Sequence, residues 1–443
     1  MKAMTMLARP LALLLLVALA LTVAPAPPAS AAPIAHREVL PNGIVLLVAE
    51  RPGVPIVAAR VFLRAGAVFE PSDRAGLANL TGALLTRGAA KRTGPEIDEA
   101  IEFVGGSLEA GASRDGLTAS LSVLKRDLTL GMDLLADVVL APAFPPEELK
   151  RKTAQIQAAI KRSEEDPNTV AGRALARVVF PNHPYGLPVE GTIESVGKLT
   201  RDDVVGFYRS QARPDTTIVA VVGDVTVDEA RREVLKRFGG WAKPATPAPS
   251  VPPARPGGAP KSETITKELS QATLMLGRQS VRQLDPDYFP LAVASYVLGG
   301  GSASRLYGRV RDEGGLAYAV YSYVSPAHYG ASFVLSSQTR TAEVAKVGEI
   351  LKEELARMTR EPVKDDELRL AKEYLIGSFP LRLDTTAKVA DFVVTVEEQG
   401  LGLDYADRYK ASVAKVTAAD VQRVAGKFFT PDAFHRVVVG ATK

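Results

Sequence analysis

Residues 195–223 read SVGKLTRDDVVGFYRSQARPDTTIVAVVG, and residues 412–440 read SVAKVTAADVQRVAGKFFTPDAFHRVVVG, which aligns with the first segment without a gap. Thr200 and Thr417 occupy the same place in the two segments, where each is suited to cap the helix that follows. In both segments a Pro-Asp turn then leads into an apolar strand. A match of this length, 217 positions apart, predicts a duplicated domain rather than an array of short repeats.

The duplication predicts a division of the chain into four parts. Residues 1–31 form a signal peptide, residues 32–240 an N-terminal domain, residues 241–260 a linker and residues 261–443 a C-terminal domain. The linker reads WAKPATPAPSVPPARPGGAP, and its seven prolines favour an extended connector over a place in a sheet.

The first residues have the pattern of an export signal. Lys2 and Arg9 give a basic start, an apolar run extends from Leu11 to Ala24, and the small residues 29–31 offer a cleavage site. This run is shorter than the roughly 20 residues that cross a bilayer. We therefore expect a protein exported to a bacterial periplasm without stable membrane insertion; an uncleaved membrane anchor is the alternative.

Strand and helix patterns are interspersed within each domain. Residues 117–124 alternate apolar with polar side chains, as a strand with one buried face does. Residues 96–104 place Ile97 and Ile101 on one helical face, and the two glycines that follow end the helix. The predicted fold class is α+β, with two homologous domains that each pack helices on one face of an antiparallel sheet.

The composition excludes several kinds of site. The 443 residues include no cysteine, which excludes disulfides, Cys-ligated metals and a cysteine nucleophile. Four histidines, at positions 36, 183, 328 and 435, are scattered, and we expect each to be structural or at the surface. The formal net charge of +4 becomes nearly balanced without residues 1–31, so nucleic acid and anionic membranes are not expected partners.

Three segments resemble a known family. They are GLANLTGALLTRG at residues 76–88, EEDPNTVAGRALARVVFPNHPYGLPVEGTIESV at residues 164–196 and GGGSASRLYGRVRDEGGLAYAVYS at residues 299–322. Together with the duplication, they resemble the pitrilysin/insulinase-type (inverzincin) metallopeptidases, which include the bacterial two-domain relatives of mitochondrial processing peptidase. The resemblance implies the metallopeptidase fold of the LuxS and processing-peptidase type, and two peptidase-like domains.

The family's zinc motif is degenerate in this sequence. In the family, H-x-x-E-H holds zinc with two histidines and activates water with the glutamate. Here Asn79, Gly82 and Ala83 stand at those three positions, and the helix at residues 151–162, expected to supply a third ligand, contains no carboxylate. The resemblance therefore implies no metal in this chain and no peptidase activity by this chain alone.

A second feature of the family is retained. The family uses an Arg and a Tyr seven residues apart in its second domain, and Arg311 and Tyr318 have this spacing in RDEGGLAY. The resemblance implies that they bind the substrate carbonyl and stabilise an oxyanion. The alternative is an Arg at the end of an exposed helix and a Tyr packed on a strand. Glu109 stands where the family usually has an Asn on a substrate-binding edge strand.

These observations give two hypotheses about function. The first is a non-catalytic subunit of a heterodimeric zinc-dependent peptidase, in which a paralogous partner carries the zinc motif and this chain contributes Arg311 and Tyr318. Its substrate would be a peptide or an unfolded polypeptide. The second is a catalytically dead structural or peptide-binding paralogue without a role in proteolysis.

Overall fold

Eleven strands form two sheets in residues 33–440, which are the residues that this computed structural model describes. The strands are β1 (His36–Val39), β2 (Val45–Glu50), β3 (Ile56–Leu63), β4 (Ser107–Ala112), β5 (Leu117–Leu124), β6 (Thr217–Gly223), β7 (Ser262–Thr266), β8 (Gln271–Gln279), β9 (Ala317–Ala327), β10 (Gly330–Arg340) and β11 (His435–Gly440). The first sheet has the order β1-β2-β6-β3-β5-β4, and the second has the order β7-β11-β8-β10-β9.

Fourteen α-helices lie within the same residues. They are α1 (Leu77–Leu84), α2 (Gly94–Phe103), α3 (Leu128–Leu140), α4 (Pro146–Ser163), α5 (Pro167–Val179), α6 (Ile193–Gly197), α7 (Arg201–Gln211), α8 (Val227–Phe238), α9 (Tyr288–Gly299), α10 (Val344–Arg360), α11 (Asp365–Ser378), α12 (Thr386–Glu398), α13 (Tyr405–Lys415) and α14 (Ala418–Phe428). Between positions 33 and 440, no helix has the length and apolar character that crossing a membrane requires. The predicted signal peptide, residues 1–31, lies outside the described residues.

The α+β class is confirmed, but the sheets are mixed rather than purely antiparallel. β6 enters the first sheet between β2 and β3, and it runs parallel to β2 and antiparallel to β3. β11 takes the corresponding place in the second sheet, parallel to β7 and antiparallel to β8. The parallel pairs arise because the last strand of each half returns after several helices and inserts inside the sheet instead of extending its edge.

The two repeated segments have nearly the same local geometry. Thr200 accepts a hydrogen bond from the N–H of Asp203 at 3.2 Å, and Thr417 accepts one from Asp420 at 3.1 Å. Each Asp carboxylate in turn accepts from the backbone N–H of its Thr, which completes a capping box. Residues 241–261 between the sheets contain no helix or strand. The domain boundaries themselves stay a prediction.

Each half contributes one helix to the sheet of the other half. Helix α5, from the first half, packs Ala171, Leu175 and Val178 against the second sheet, where Val437 and Val439 lie beneath them. In the second half, α12 provides the equivalent contact with the first sheet. The prediction that helices cover one face of each sheet was therefore incomplete, since the opposite face is covered by a helix from the other half.

Strand β3 shows how both faces of the first sheet are buried. Its odd-numbered residues, such as Val61, face helices of the first half, whereas Phe62 packs against Val393 and its neighbours on α12. Arg60 points to the same side as Phe62 and is held by Asp391 of α12 at 2.6 Å. Each Val or Leu buried in this way contributes about 1.5–3 kcal/mol. The exchanged helices therefore join the halves through two apolar contacts.

Candidate functional site

The helix that carries the degenerate zinc motif is capped by a carboxyl group. Glu70 accepts hydrogen bonds from the N–H of Gly76 at 3.0 Å and from the N–H of Ala78 at 2.5 Å. Burial raises the pKa of Glu70 to about 8, and the two hydrogen bonds act in the opposite direction. Gly76 has a φ of 95°, which lets the chain turn sharply into α1. The start of the motif helix is therefore fixed.

The three degenerate positions lie together on α1, as the sequence spacing requires. Asn79 and Ala83 are partly exposed, whereas Gly82 is buried against β4. A Cβ atom at residue 82 would lie 2.8 Å from the carbonyl carbon of Gly111 and 3.0 Å from the backbone nitrogen of Ala112. Because both neighbours are backbone atoms, a larger side chain at residue 82 requires β4 to move.

The residues at this place do not fit a zinc ion. An amide, a glycine and a methyl group offer no imidazole or carboxylate ligand, and zinc in proteins requires such nitrogen, oxygen or sulfur donors. Helix α4 packs against α1, but it has no carboxylate between residues 151 and 162, and Ala158 and Ala159 stand where the resemblance implies the third ligand. Between residues 33 and 440, no group of three or more His, Asp or Glu side chains is placed to hold a metal ion.

Strand β4, which borders this helix, forms one edge of the first sheet. It pairs with β5 on one side only, and Glu109 lies opposite Ser120 in the register. Glu109 is exposed, so the strand presents a carboxylate where the resemblance implies an amide. The strand has only six residues.

In the second half the structure brings Arg311 and Tyr318 into contact. Arg311 lies in a short π-helix, Tyr307–Glu313, and its guanidinium carbon is 4.5 Å from the centre of the Tyr318 ring. The same guanidinium is 4.8 Å from the Tyr307 ring, so it stacks between two phenol rings. Within residues 33–440, Arg311 forms no ion pair and the hydroxyl of Tyr318 has no hydrogen-bond partner. Both groups are therefore free to bind something else.

A β-bulge directs Tyr318 outward. Thr339 of β10 pairs with Ala317 and the preceding Gln338 pairs with Ala319, which leaves Tyr318 as an extra residue on β9. A regular strand would place Tyr318 on the same face as the buried residues Val320 and Ser322. Instead, Tyr318 is 80% exposed. The bulge thus presents the phenol to solvent at the start of the strand.

Ion pairs of two arginines hold the π-helix that carries Arg311. Arg305, just before it, donates two hydrogen bonds of 2.7 Å to Glu367 on α11. Burial is the largest single influence and acts to raise the pKa of Glu367, but the hydrogen bonds from Arg305, the backbone hydrogen bond from Lys364 and the charges of these two residues together lower it. Arg309 donates to Glu354 on α10 at 2.7 Å, and Glu354 is fully buried. The backbone that positions Arg311 is therefore anchored on two sides.

The sequence prediction missed three aromatic residues near this pair. Tyr307 forms the second ring around Arg311, and Tyr321 and Tyr323 continue along β9, where they are 46% and 43% exposed. The alternation of Tyr321 and Tyr323 with Val320 and Ser322 was a visible signal of a strand with a tyrosine-bearing outer face. The bulge and the π-helix leave no signal in hydrophobic periodicity.

The four histidines lie apart from these residues in different local settings. His183 Nε2 is 3.2 Å from the carbonyl oxygen of Pro252, and His435 Nδ1 accepts a hydrogen bond from the N–H of Lys261. His328 lies 3.1 Å from the carboxylate of Glu398. His36 is an exposed residue of β1. The structure does not bring any two of them into one site.

Two family models match the chain. The model for insulinase (peptidase family M16) matches residues 45–193, and the model for the peptidase M16 inactive domain matches residues 198–375. A protein named as an uncharacterized zinc protease of Mycobacterium leprae is 30% identical over 352 residues, which cover 79% of each chain. The chain belongs to the insulinase family. The resemblance inferred from the three sequence segments is therefore confirmed.

This insulinase-family chain is similar to other proteins over most of its length. An uncharacterized zinc protease of Streptomyces coelicolor is 29% identical over 88% of this chain and 86% of its own. A solved structure from Pseudomonas fluorescens, described as a peptidase M16 inactive domain, has a TM-score of 0.86 at 25% identity and covers 92% of this chain and 98% of its own. A protease from Helicobacter pylori, at 19% identity and a TM-score of 0.86, shows the shared fold. The chain is thus a peptidase-like member of the family with its two-domain fold.

Proposed function

We propose that this chain is the non-catalytic subunit of a two-chain zinc peptidase and binds the polypeptide substrate for a zinc-bearing paralogue. The observation that carries the proposal is the contrast between the two halves. Arg311 and Tyr318 are in contact, accessible and unpaired within the described residues, whereas the motif helix offers Asn79, Gly82 and Ala83 in place of ligands. A chain that keeps this Arg–Tyr pair but has no metal site is suited to complete the active site of another chain.

The chemistry of the pair fits substrate binding and oxyanion stabilisation. The Tyr318 hydroxyl can donate a hydrogen bond to a substrate carbonyl oxygen, and this bond strengthens as the oxygen gains negative charge. The Arg311 guanidinium, 4.5 Å from the ring, adds positive charge at the same place. Because the bulge and the anchored π-helix fix both groups before substrate binds, little reorganisation is needed.

The proposal also covers the partner, the metal, the substrate and the location of the subunit. The partner is a paralogue that has the intact H-x-x-E-H motif, and the zinc belongs to that chain alone. The substrate is a peptide or an unfolded polypeptide. The export pattern in residues 1–31 supports a periplasmic location for this subunit, which its partner would share.

The test is reconstitution with the zinc-motif paralogue encoded nearest to this chain. Purified alone, this chain is expected to contain less than stoichiometric zinc and to leave an unfolded, quenched-fluorescence polypeptide uncleaved. Mixing should switch on cleavage, and Tyr318→Phe should lower the gain by roughly 100-fold because one oxyanion donor is lost. Tyr374→Phe is the matched control, since Tyr374 is also an exposed tyrosine but lies on α11.

Two outcomes would overturn the proposal. Stoichiometric zinc together with cleavage by this chain alone would make it a peptidase in its own right. Binding of the paralogue without any gain in cleavage would leave the structural or peptide-binding paralogue as the better description. An equal gain with wild type and Tyr318→Phe would instead remove Tyr318 from the proposed mechanism.

A further inference from the structure

We propose that the second half contains a binding site for a small zwitterion, a free α-amino acid or a dipeptide with an apolar side chain, in a cavity at the end of the second sheet. In this site Arg278 binds the carboxylate of the ligand and Asp432 binds its ammonium group. The inference goes beyond the proposed function, because the site needs neither a partner subunit nor the contact between Arg311 and Tyr318.

The cavity lies where β8 ends beside the start of β11, and its volume is about 450 Å³. The linker borders it between residues 256 and 260, and the turn before β11 borders it between residues 430 and 433. The apolar side chains of its wall are Val179, Pro256, Pro260 and Ala433. Sites for small molecules have volumes of roughly 300–1,000 Å³. The cavity therefore suits a small ligand with an apolar part.

Arg278, which lines this cavity, is a partly buried arginine without an acidic partner. Its Nη1 donates a hydrogen bond to the carbonyl oxygen of Phe428 at 3.2 Å, and its guanidinium carbon is 5.8 Å from the Phe428 ring and 5.9 Å from the Phe434 ring. Within residues 33–440 it forms no ion pair, and its other nitrogens have no hydrogen-bond partner. Burial lowers the pKa of Arg278, and no acidic neighbour opposes this. A cation in this setting is suited to bind a carboxylate from outside the chain.

The duplicated first half provides a comparison for this corner of the sheet. The strand register of the first sheet places Leu63 at the position of Arg278. It likewise places Ile218 at the position of His435, which also lines the cavity. Leu63 and Ile218 are buried apolar side chains. The second half therefore has two hydrogen-bond donors where the first half has a dry, packed corner.

The acidic residue of this corner is paired in the first half but not in the second. Arg213 donates hydrogen bonds of 3.0 and 2.9 Å to Asp215, and this ion pair closes the first corner. In the repeat, 217 positions later, Thr430 stands at the place of Arg213 and Asp432 at the place of Asp215. Within the part of the chain that the structure describes, the exposed carboxylate of Asp432 forms no ion pair or hydrogen bond. The cavity thus has an unpaired anion as well as an unpaired cation.

The two unpaired charges select the class of ligand. Arg278 and Asp432 line the same cavity but do not pair with each other. A ligand that carries a carboxylate and an ammonium group satisfies both with charge-assisted hydrogen bonds. An anion without a positive group would leave Asp432 unpaired and repelled.

His435 adds a donor to the wall of the cavity. Its Nδ1 accepts a hydrogen bond from the N–H of Lys261 at 3.1 Å, so the neutral ring carries its proton on Nε2. Burial and the positive charge of Lys261 lower the pKa of His435, which favours the neutral ring. A neutral donor beside Arg278 suits the second oxygen of a carboxylate.

The ligand class can be tested with L-leucine and two derivatives that each lack one charge, N-acetyl-L-leucine and L-leucinamide. Isothermal titration calorimetry on the purified chain should give binding of leucine that is about tenfold tighter, or more, than binding of either derivative, because each derivative loses a charge-assisted hydrogen bond. Leucylglycine, whose two charges lie further apart, distinguishes the two sources of this chemistry. Tighter binding of leucylglycine than of leucine would identify a dipeptide site, and the reverse order would identify an amino-acid site.

Substitutions assign each charge of the ligand to its residue. Asp432→Asn should weaken binding of leucine about tenfold and leave binding of N-acetyl-leucine unchanged, whereas Arg278→Gln should weaken binding of leucine and leave binding of leucinamide unchanged. Ala433→Leu should block the cavity while both charges remain. Arg282→Gln and Asp407→Asn, at exposed residues outside the cavity, are the matched controls and should bind like wild type. Urea unfolding of each variant checks that the fold is retained.

Three results would overturn the inference. N-acetyl-leucine that binds as tightly as leucine would show a simple anion site, and full binding of leucine by both Arg278→Gln and Ala433→Leu would place the ligand elsewhere. A folded wild-type chain that binds neither leucine nor leucylglycine would exclude the site altogether. Each result is independent of the reconstituted cleavage assay, so the zwitterion site and the proposed function stand or fall separately.

Discussion

Gly82 on α1 and Gly111 on β4 are packed so closely that the helix rests on the backbone of the strand. A Cβ atom at residue 82 would come within 2.8 Å of the carbonyl carbon of Gly111. The position where the resemblance implies a general base has therefore lost both the side chain and the space for one. Restoring the zinc motif by substitution would require the edge strand to move as well.

The first prediction concerns this contact. Gly82→Ala should lower the free energy of unfolding by about 1–3 kcal/mol, since the added methyl group overpacks against backbone atoms. Gly172→Ala on α5 is the matched control, because a Cβ there meets nothing within 4 Å. It should be neutral or stabilising by about 0.4–1 kcal/mol. Urea unfolding followed by circular dichroism measures the free energy of unfolding of both variants. Equal stability of the two would show that β4 moves aside at little cost in free energy.

A second prediction concerns the support beneath Arg311. Glu354 is fully buried and bonds both Arg309 and Arg357, so Glu354→Gln should cost about 1.5–3 kcal/mol, because charge-assisted hydrogen bonds to two partly exposed guanidinium groups are weakened. Glu353→Gln, the adjacent change, removes a bond to the same Arg309 from a side chain that is 58% exposed. It should cost less than about 1 kcal/mol.

Chemical denaturation of Glu354→Gln and Glu353→Gln compares their free energies of unfolding. The reconstituted cleavage assay supplies a second measurement, because a displaced Arg311 should raise the KM for polypeptide in Glu354→Gln but not in Glu353→Gln. Equal unfolding midpoints for the two variants would mean that the buried ion pair does not anchor the π-helix.

The third prediction follows from the exchanged helices. A fragment of residues 34–240 lacks α12, and a fragment of residues 261–440 lacks α5, so each sheet keeps one uncovered apolar face. Neither fragment should unfold cooperatively or show dispersed amide signals in NMR spectra when studied alone. The equimolar mixture should recover both properties. A cooperative transition from either fragment by itself would contradict the importance that we assign to the exchange.

The fourth prediction is a pH dependence centred on His328. The hydrogen bond with Glu398 raises the pKa of His328 above its ordinary value of about 6.5 although burial opposes this, and Arg64 and Asp115 add smaller effects of opposite sign. Because the folded pKa is raised, the stabilisation is complete below about pH 6.5 and is lost as the pH rises through the folded pKa.

His328→Gln is the variant that checks it. The difference in unfolding free energy between wild type and variant should shrink by roughly 0.5–1 kcal/mol from pH 6 to pH 8, a size that allows for the partial exposure of the pair. His36→Gln is the control, since His36 is an exposed residue of β1. A difference that grows with pH would have the opposite sign and would exclude His328 as the source.

The sequence allowed the fold class to be predicted, but not the way in which the halves combine. The duplication was visible because the segments capped by Thr200 and Thr417 kept their turn and strand residues. Strand β6 reads as an unbroken apolar run, which is typical of a strand buried on both faces, yet periodicity does not say which helix covers it. The covering helix comes from about 170 residues later in the chain and so leaves no local signal.

In the candidate site, likewise, the residues could be predicted from the sequence but their orientation could not. The spacing of Arg311 and Tyr318 was recognisable from the resemblance, and the structure places them 4.5 Å apart. Their orientation depends on an extra residue in β9 and on a π-helix, which are hydrogen-bonding irregularities rather than patterns of side-chain type. Their role in binding substrate stays a prediction.

The exchange of helices also sets an order of events during biosynthesis. The first sheet is complete once Gly223 has been made, but the helix that covers its second face ends only at Glu398. A ribosome adding 5–20 residues each second needs about 10–35 s to make the intervening stretch. Throughout that time the nascent first half exposes an apolar surface, so its final folding follows synthesis and depends on whatever shields that surface in the meantime.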